Sequence, residues 1–176
     1  GRYEDTGNYS RKVICELFAG RYNKCSMEEQ VYSRMLVGGD FFTWGIFPSV
    51  WGNLYKKKDI LQFQLRVENE ITMGEDAAVV YPLLLSVRSI YVLDECFYHY
   101  RQSANSMVKQ KGESDLERKR FRILYNAVSR EFSNGYNTDN LQWQWRQYML
   151  FLMLARADGL YDGFDELDYL YPFPDI

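Results

Sequence analysis

Two acidic residues in succession, Glu75 and Asp76, follow Gly74 and open a run of Ala77, Val80, Tyr81, Leu84 and Leu85 at three- and four-residue steps. That spacing predicts a helix with both carboxylates in its first turn. Carboxylates there have two uses. They favour the positive end of a helix dipole, and one held beside a reacting hydroxyl is a general base. Downstream lies Tyr98-His99-Tyr100-Arg101, at the end of a strand expected from Cys96 to Arg101. Alternation sets Cys96, Tyr98 and Tyr100 on one face, and Phe97, His99 and Arg101 on the other. The planar fork of Arg101 suits a diphosphate, whose charge grows as a leaving group departs. A surface ion pair would use the same fork, and His99 could belong to either arrangement. Upstream, Ser49-Val50-Trp51-Gly52-Asn53-Leu54-Tyr55 carries Trp51. Its indole is either a stacking face for a sugar or part of the core.

Several elements must position these residues. Arg2 to Tyr9 is polar and turn-rich, and Val13 to Phe18 is a short apolar run, either strand or buried helical turn. Gly20 to Lys24 reads as a turn. Ser26-Met27-Glu28-Glu29 has capping-box spacing, with Val31 and Met35 on the inner face of the helix it opens and Gly38-Gly39 as its stop. Phe41 to Trp51 is aromatic and broken by Gly45 and Pro48, hence irregular. Lys56-Lys57-Lys58 reads as a solvated face. Pro82 falls inside the helix that Glu75 opens and predicts a kink or break. Ile90 to Leu93 reads as a strand. After Gly112, Ser114-Asp115-Leu116-Glu117 starts a helix to about Phe132, with Leu116, Ile123, Leu124, Ala127 and Val128 as its stripe and Asn134-Gly135 as its end. Thr138 caps a last helix to about Ala157, apolar nearly all round through Leu141, Trp145, Tyr148, Met149 and Leu152. Such a helix must be covered on several sides, although Trp143, Trp145 and Arg146 would also suit a lipid interface. The fold class is therefore α+β, mainly helical.

Composition narrows the function. The 176 residues are 47% hydrophobic, which supports a buried core. Tyrosine contributes 15 of them, a residue suited to half-buried surfaces that meet polar ligands. A formal charge of −3 leaves no basic excess to hold a phosphate backbone, so nucleic-acid binding is disfavoured. Cys15, Cys25 and Cys96 are odd in number and widely spaced, which fits reduced thiols rather than a disulfide framework or zinc site. No apolar run reaches the ~20 residues of a spanning helix. The N-terminus, Gly1-Arg2-Tyr3, reads as cut from something longer.

In order and interval, Trp51-Gly52-Asn53-Leu54-Tyr55, Gly74-Glu75-Asp76, and Tyr98-His99-Tyr100-Arg101 with Ser106 beyond resemble the C-terminal, acceptor-side half of bacterial family 2 glycosyltransferases of the GT-A fold. Members carry a W-x-K-L-[FY] element, a [GE]-E-D opening a helix, a strand, and Y-x-Y-R followed by serine. The likeness spans about Tyr22 to Met107, and Asn53 stands where the family commonly has lysine. The resemblance implies an inverting transfer from a nucleotide-sugar donor to a glycan or lipid-linked acceptor in cell-surface polysaccharide synthesis. Asp76 would be the catalytic base and Glu75 would orient it or bind acceptor hydroxyls. Arg101, His99 and Trp51 would be substrate-binding residues. It further implies a missing N-terminal nucleotide-binding half whose D-x-D motif holds Mg²⁺ or Mn²⁺. No D-x-D occurs here, so no metal is expected in this chain, and alone it should be inactive. The acidic tail Asp158, Asp162, Asp165, Glu166 and Asp168 has no ligand spacing. The expected organisation is catalytic-domain portion 1–112, helical extension 113–168 and linker 169–176. The expected location is cytoplasmic, with peripheral association at the inner membrane face left open. The alternative is a non-catalytic helical interaction module whose aromatic surface docks a partner protein or membrane.

Overall fold

Ion pairing and aromatic packing, more than local propensity, decide where the strands form. In the computed structural model the described residues are 1–5, 9–39, 43–101, 114–133 and 138–158. The polar start of the chain is strand β1, Arg2–Asp5, antiparallel to β2, Ser10–Val13. Glu4 lies opposite Arg11 in that register, and its carboxylate bridges Arg2 at 2.6 Å and Arg11 at 2.8 Å. Cross-strand charge pairs of this kind stabilise a ladder that a polar sequence alone would not suggest. Residues 6–8, part of the expected turn-rich stretch, lie outside the described residues. Strand β5, His99–Arg101, joins β1 in parallel and completes the order β2-β1-β5. It is shorter than the expected run from Cys96.

A second sheet pairs β3, Gly20–Asn23, with β4, Ser89–Val92, antiparallel. The residues expected to turn at Gly20 instead extend, because buried Tyr22 pairs with Ile90 and its hydroxyl donates to the Phe18 carbonyl at 3.0 Å. Helix α1, Lys24–Gln30, follows directly, capped by Asn23 rather than Ser26. The Asn23 side chain accepts from the Ser26 N–H at 3.0 Å, doing three residues earlier what the capping box was expected to do. The helix stops well before Gly38-Gly39 and continues only as a 3₁₀ turn, Tyr32–Arg34.

Helix α2 is Lys57–Gln64 and helix α3 is Glu75–Ser86. α3 runs through Pro82 to Ser86, so the expected break does not occur. Proline removes one backbone donor there, but burial of Val79, Val80, Tyr81, Leu83 and Leu84 around it holds the segment helical. The far end of α3 is also capped from outside. Lys24 Nζ donates to the Leu85 carbonyl at 2.8 Å, and Tyr32 Oη donates to that of Leu84 at 3.1 Å.

Helices α4, Ser114–Ser133, and α5, Thr138–Asp158, pack on each other, and α4 also packs on α3. The inner face of α4 is Glu117, Phe121, Leu124, Val128 and Phe132. This is rotated from the expected stripe: Leu116 is exposed, while Ile123 and Ala127 lie at the margin. The reason is that aromatic Phe121 and Phe132 have more area to bury than Leu116 or Ala127. On α5 the expected core residues Leu141, Trp145, Tyr148, Met149 and Leu152 are all buried, whereas Trp143 is exposed. These residues share one core with Met27, Val31, Met35, Ala77 and Tyr81, so 113–158 and the earlier chain bury their apolar faces together.

One polar residue pins that core. Gln144 is fully buried, accepts from the Leu36 N–H at 2.9 Å, donates to the Tyr32 carbonyl at 2.8 Å and also donates to Asn140. It satisfies backbone groups that the end of the first helical segment leaves open. Among the described residues, no helix is long and apolar enough to cross a membrane.

Candidate functional site

Gly74 sets the position of the two carboxylates. It precedes α3 with φ +83°, a conformation that residues bearing a Cβ rarely adopt. A Cβ there would also stand 2.5 Å from Leu124 Cδ2 and 3.2 Å from Leu152 Cδ2. The first turn of α3 is therefore pressed against α4 and α5 by a residue that only glycine can supply. Glu75 and Asp76 emerge from this turn half-buried, as the sequence places them.

Burial pushes both carboxyl groups above their ordinary range. For Asp76 a hydrogen bond from the Val50 backbone N–H opposes the shift without cancelling it. For Glu75 the neighbouring Asp76 charge adds to it, against a hydrogen bond from its own N–H. Among the described residues neither joins a salt bridge. A partly desolvated carboxylate without a cation is a stronger base than one in water. Two phenols share its surroundings. Burial and the Asp76 charge act together on both, pushing Tyr55 up to about 12 and Tyr148 higher still. The Tyr55 hydroxyl oxygen is buried, and the Asn53 side chain beside it opposes the rise without cancelling it.

The 3₁₀ turn Val50–Gly52 links this corner to the aromatic residues. Val50 holds Asp76 from one side of the turn. Trp51, next in the chain, stacks on Tyr98 at 4.1 Å and on Tyr100 at 5.3 Å between ring centroids. Asn53 Nδ2 donates to the Ser49 carbonyl at 2.8 Å and so ties the turn across its base. Trp51, Asn53, Tyr55 and Tyr98 line a cleft of roughly 1100 Å³, which also runs past Lys56, Lys58 and Arg88. Neither Glu75 nor Asp76 lines it; they lie behind the Val50–Gly52 turn.

His99 and Arg101 are placed elsewhere. Because Tyr98 and Tyr100 face Trp51, strand alternation turns His99 and Arg101 to the opposite face, where both are exposed. His99 stacks on Tyr3 at 4.8 Å, and its Nδ1 lies 2.9 Å from Asp5 Oδ2. Arg101 is paired in register with Asp5 and lends its charge to it. The structure thus ties Asp76 to Val50, next to Trp51 in the chain but outside the cleft that Trp51 lines, and keeps His99 and Arg101 apart from both. Ser106 lies outside the described residues, as do Gly112, Asn134-Gly135 and the tail from 159.

Four participants went unassigned in the sequence. Tyr55 belongs to the same element as Trp51, and its place two residues past Asn53 was a usable signal. Tyr98 and Tyr100 were set on one face, yet nothing local says that this face meets Trp51. Arg2 has no sequence signal. Its guanidinium lies 4.7 Å over the Phe47 ring and 5.7 Å from that of Trp51.

Among the described residues, no group of three His, Cys, Asp or Glu could hold a metal ion. No family model, curated protein or solved structure matches the chain.

Proposed function

We propose that this chain is the acceptor-side half of an inverting glycosyltransferase of the family 2, GT-A type. Its donor would be a nucleotide sugar bound by a separate α/β half with its own Mg²⁺ or Mn²⁺, and its acceptor a glycan or lipid-linked sugar. The observation that carries the reading is the state of Asp76: half-buried, without a cation, and raised in pKa by desolvation at the head of α3. A structural carboxylate is usually paired, and pairing lowers its pKa. A base is better kept unpaired, so that its proton affinity is available to the attacking hydroxyl.

The division of labour follows from the contacts. Asp76 takes the proton of the acceptor hydroxyl as the oxygen attacks the anomeric carbon, and the diphosphate leaves with the bonding electrons. The Val50 N–H fixes the carboxylate's direction. Glu75, itself raised by burial and by the Asp76 charge, would bind an acceptor hydroxyl. Trp51, braced by Tyr98 and Tyr100, offers a rigid aromatic edge to a sugar ring. His99 and Arg101 serve the sheet in this reading, through Asp5, rather than the diphosphate. The alternative of a helical docking module draws less support, because the apolar face of α5 is already covered by this chain's own core.

The test uses the protein in which this chain is joined to its donor-binding half. Asp76→Asn should lower the rate of transfer by about 10²–10⁴-fold, the usual worth of a general base, and leave donor affinity unchanged. Normal turnover in that variant removes the base assignment.

A further inference from the structure

Among the described residues, the most exposed large hydrophobic is Leu54, at 98% of its full accessibility. One residue, Tyr55, separates it from Lys56, Lys57 and Lys58 at the start of α2. Two features of that placement are costly for a soluble surface. A leucine held wholly in water contributes nothing to folding. Three cations at the start of a helix sit against its positive end, with Asp59 the one acid in that turn and no side chain capping it. Among the described residues, none of the three lysines forms a salt bridge that would offset this.

The neighbourhood repeats the combination. Leu54, Tyr91, Leu93 and Phe97 all line the same cleft and are all exposed, and Arg88 lines it with Lys56 and Lys58. Scattered exposed hydrophobics are ordinary, but several on one face beside unpaired cations mark an interaction surface. Apolar tips that insert shallowly and lysines that meet anionic headgroups are the two signals that reversible adhesion to a bilayer requires. We propose that this face docks on an anionic phospholipid surface, with Leu54 and Phe97 entering the headgroup region and Lys56, Lys57 and Lys58 contacting phosphate. The complementarity is local, since the chain as a whole carries −3. The proposed face shares its cleft with Trp51 of the transferase reading, but vesicle binding depends on neither Glu75 nor Asp76 and can fail without that reading failing.

Co-sedimentation of the purified chain with vesicles tests it. Vesicles of phosphatidylcholine containing phosphatidylglycerol should bind the protein at low salt, and vesicles of phosphatidylcholine alone should not. Replacing Lys56, Lys57 and Lys58 together by glutamine should weaken binding on the order of a hundredfold, at about fivefold per lysine. Leu54→Asp should weaken it by about tenfold or more, with the circular dichroism spectrum unchanged because Leu54 is exposed. Absence of binding to the anionic vesicles overturns the proposal. So does binding that the lysine replacements leave intact, or binding that Leu54→Asp leaves unchanged, which reduces the effect to charge adsorption. Binding to an acidic peptide but not to vesicles would assign the face to a protein partner instead and equally overturn it.

Discussion

The chain contains the dipeptide Glu-Asp twice, at Glu4-Asp5 and at Glu75-Asp76, and the two copies behave in opposite ways. In the first, burial alone would raise Glu4, but hydrogen bonds and charge from Arg2 and Arg11 outweigh it and hold the carboxyl below its ordinary range. Asp5 is lowered as well, by a hydrogen bond to Ser10, then by His99 and the charge of Arg101. In the second, desolvation meets no cation, and both carboxyls rise. The same two residues are thus paired on a sheet and unpaired at a helix end, and what separates them is the company of guanidinium groups. A dipeptide motif has chemical meaning only through such surroundings.

The largest way to break the contrast is to move the second pair. Gly74→Ala imposes a left-handed φ on a residue with a Cβ and drives that Cβ into Leu124. A loss of about 2–4 kcal/mol in chemical unfolding is expected, together with a fall of the Asp76 pKa toward its ordinary value as the turn is pushed into water. Unaltered stability would mean that α4 yields freely at Leu124.

A smaller perturbation makes the first pair resemble the second. Arg2→Ala removes the closer partner of Glu4 and the cation over Phe47. The expected cost is about 1–2 kcal/mol, and the Glu4 carboxyl should move upward, since its burial is then opposed by Arg11 alone. A Glu4 pKa that stays low in this variant would show that Arg11 suffices.

The smallest effect on stability, and the most telling in sign, is that of Asp76→Asn. A group whose folded pKa is raised destabilises the fold as it ionises, so its cost is absent below the unfolded value and complete above the folded one. The variant should therefore be as stable as the parent in acid and slightly more stable near neutral pH, by less than the ~1 kcal/mol of an ordinary ion pair. Glu4→Gln should do the reverse: its carboxylate adds stability above the unfolded value, and that stability is lost as pH falls through the lowered one. Melting temperatures at two pH values distinguish the cases.

Much of this was legible in the residues, unevenly. The helices beginning at Glu75, Ser114 and Thr138 follow from acidic first turns and apolar steps, and the burial of Trp145, Tyr148 and Met149 follows from an α5 apolar on most sides. Positions set by distant partners were hidden. β1 depends on Arg11 and β5, β3 depends on β4, and Asn23 caps α1 because the strand before it ends there. The rotation of the α4 stripe depends on which face meets α5. In the candidate site, Glu75 and Asp76 were readable from the helix start, and the shared face of Tyr98 and Tyr100 from alternation. That this face meets Trp51, and leaves His99 and Arg101 to Asp5, required the packing of β5 beside β1 and the Val50–Gly52 turn.

The direct measurement is a titration of the side-chain carboxyl carbons by ¹³C NMR on the 176-residue chain. Asp76 and Glu75 should titrate above the ordinary carboxylate range, and Glu4 and Asp5 below it, within one sample. If Asp76 titrates at or below the ordinary aspartate value, its carboxylate is solvated or paired, and the account of it as a poised base fails.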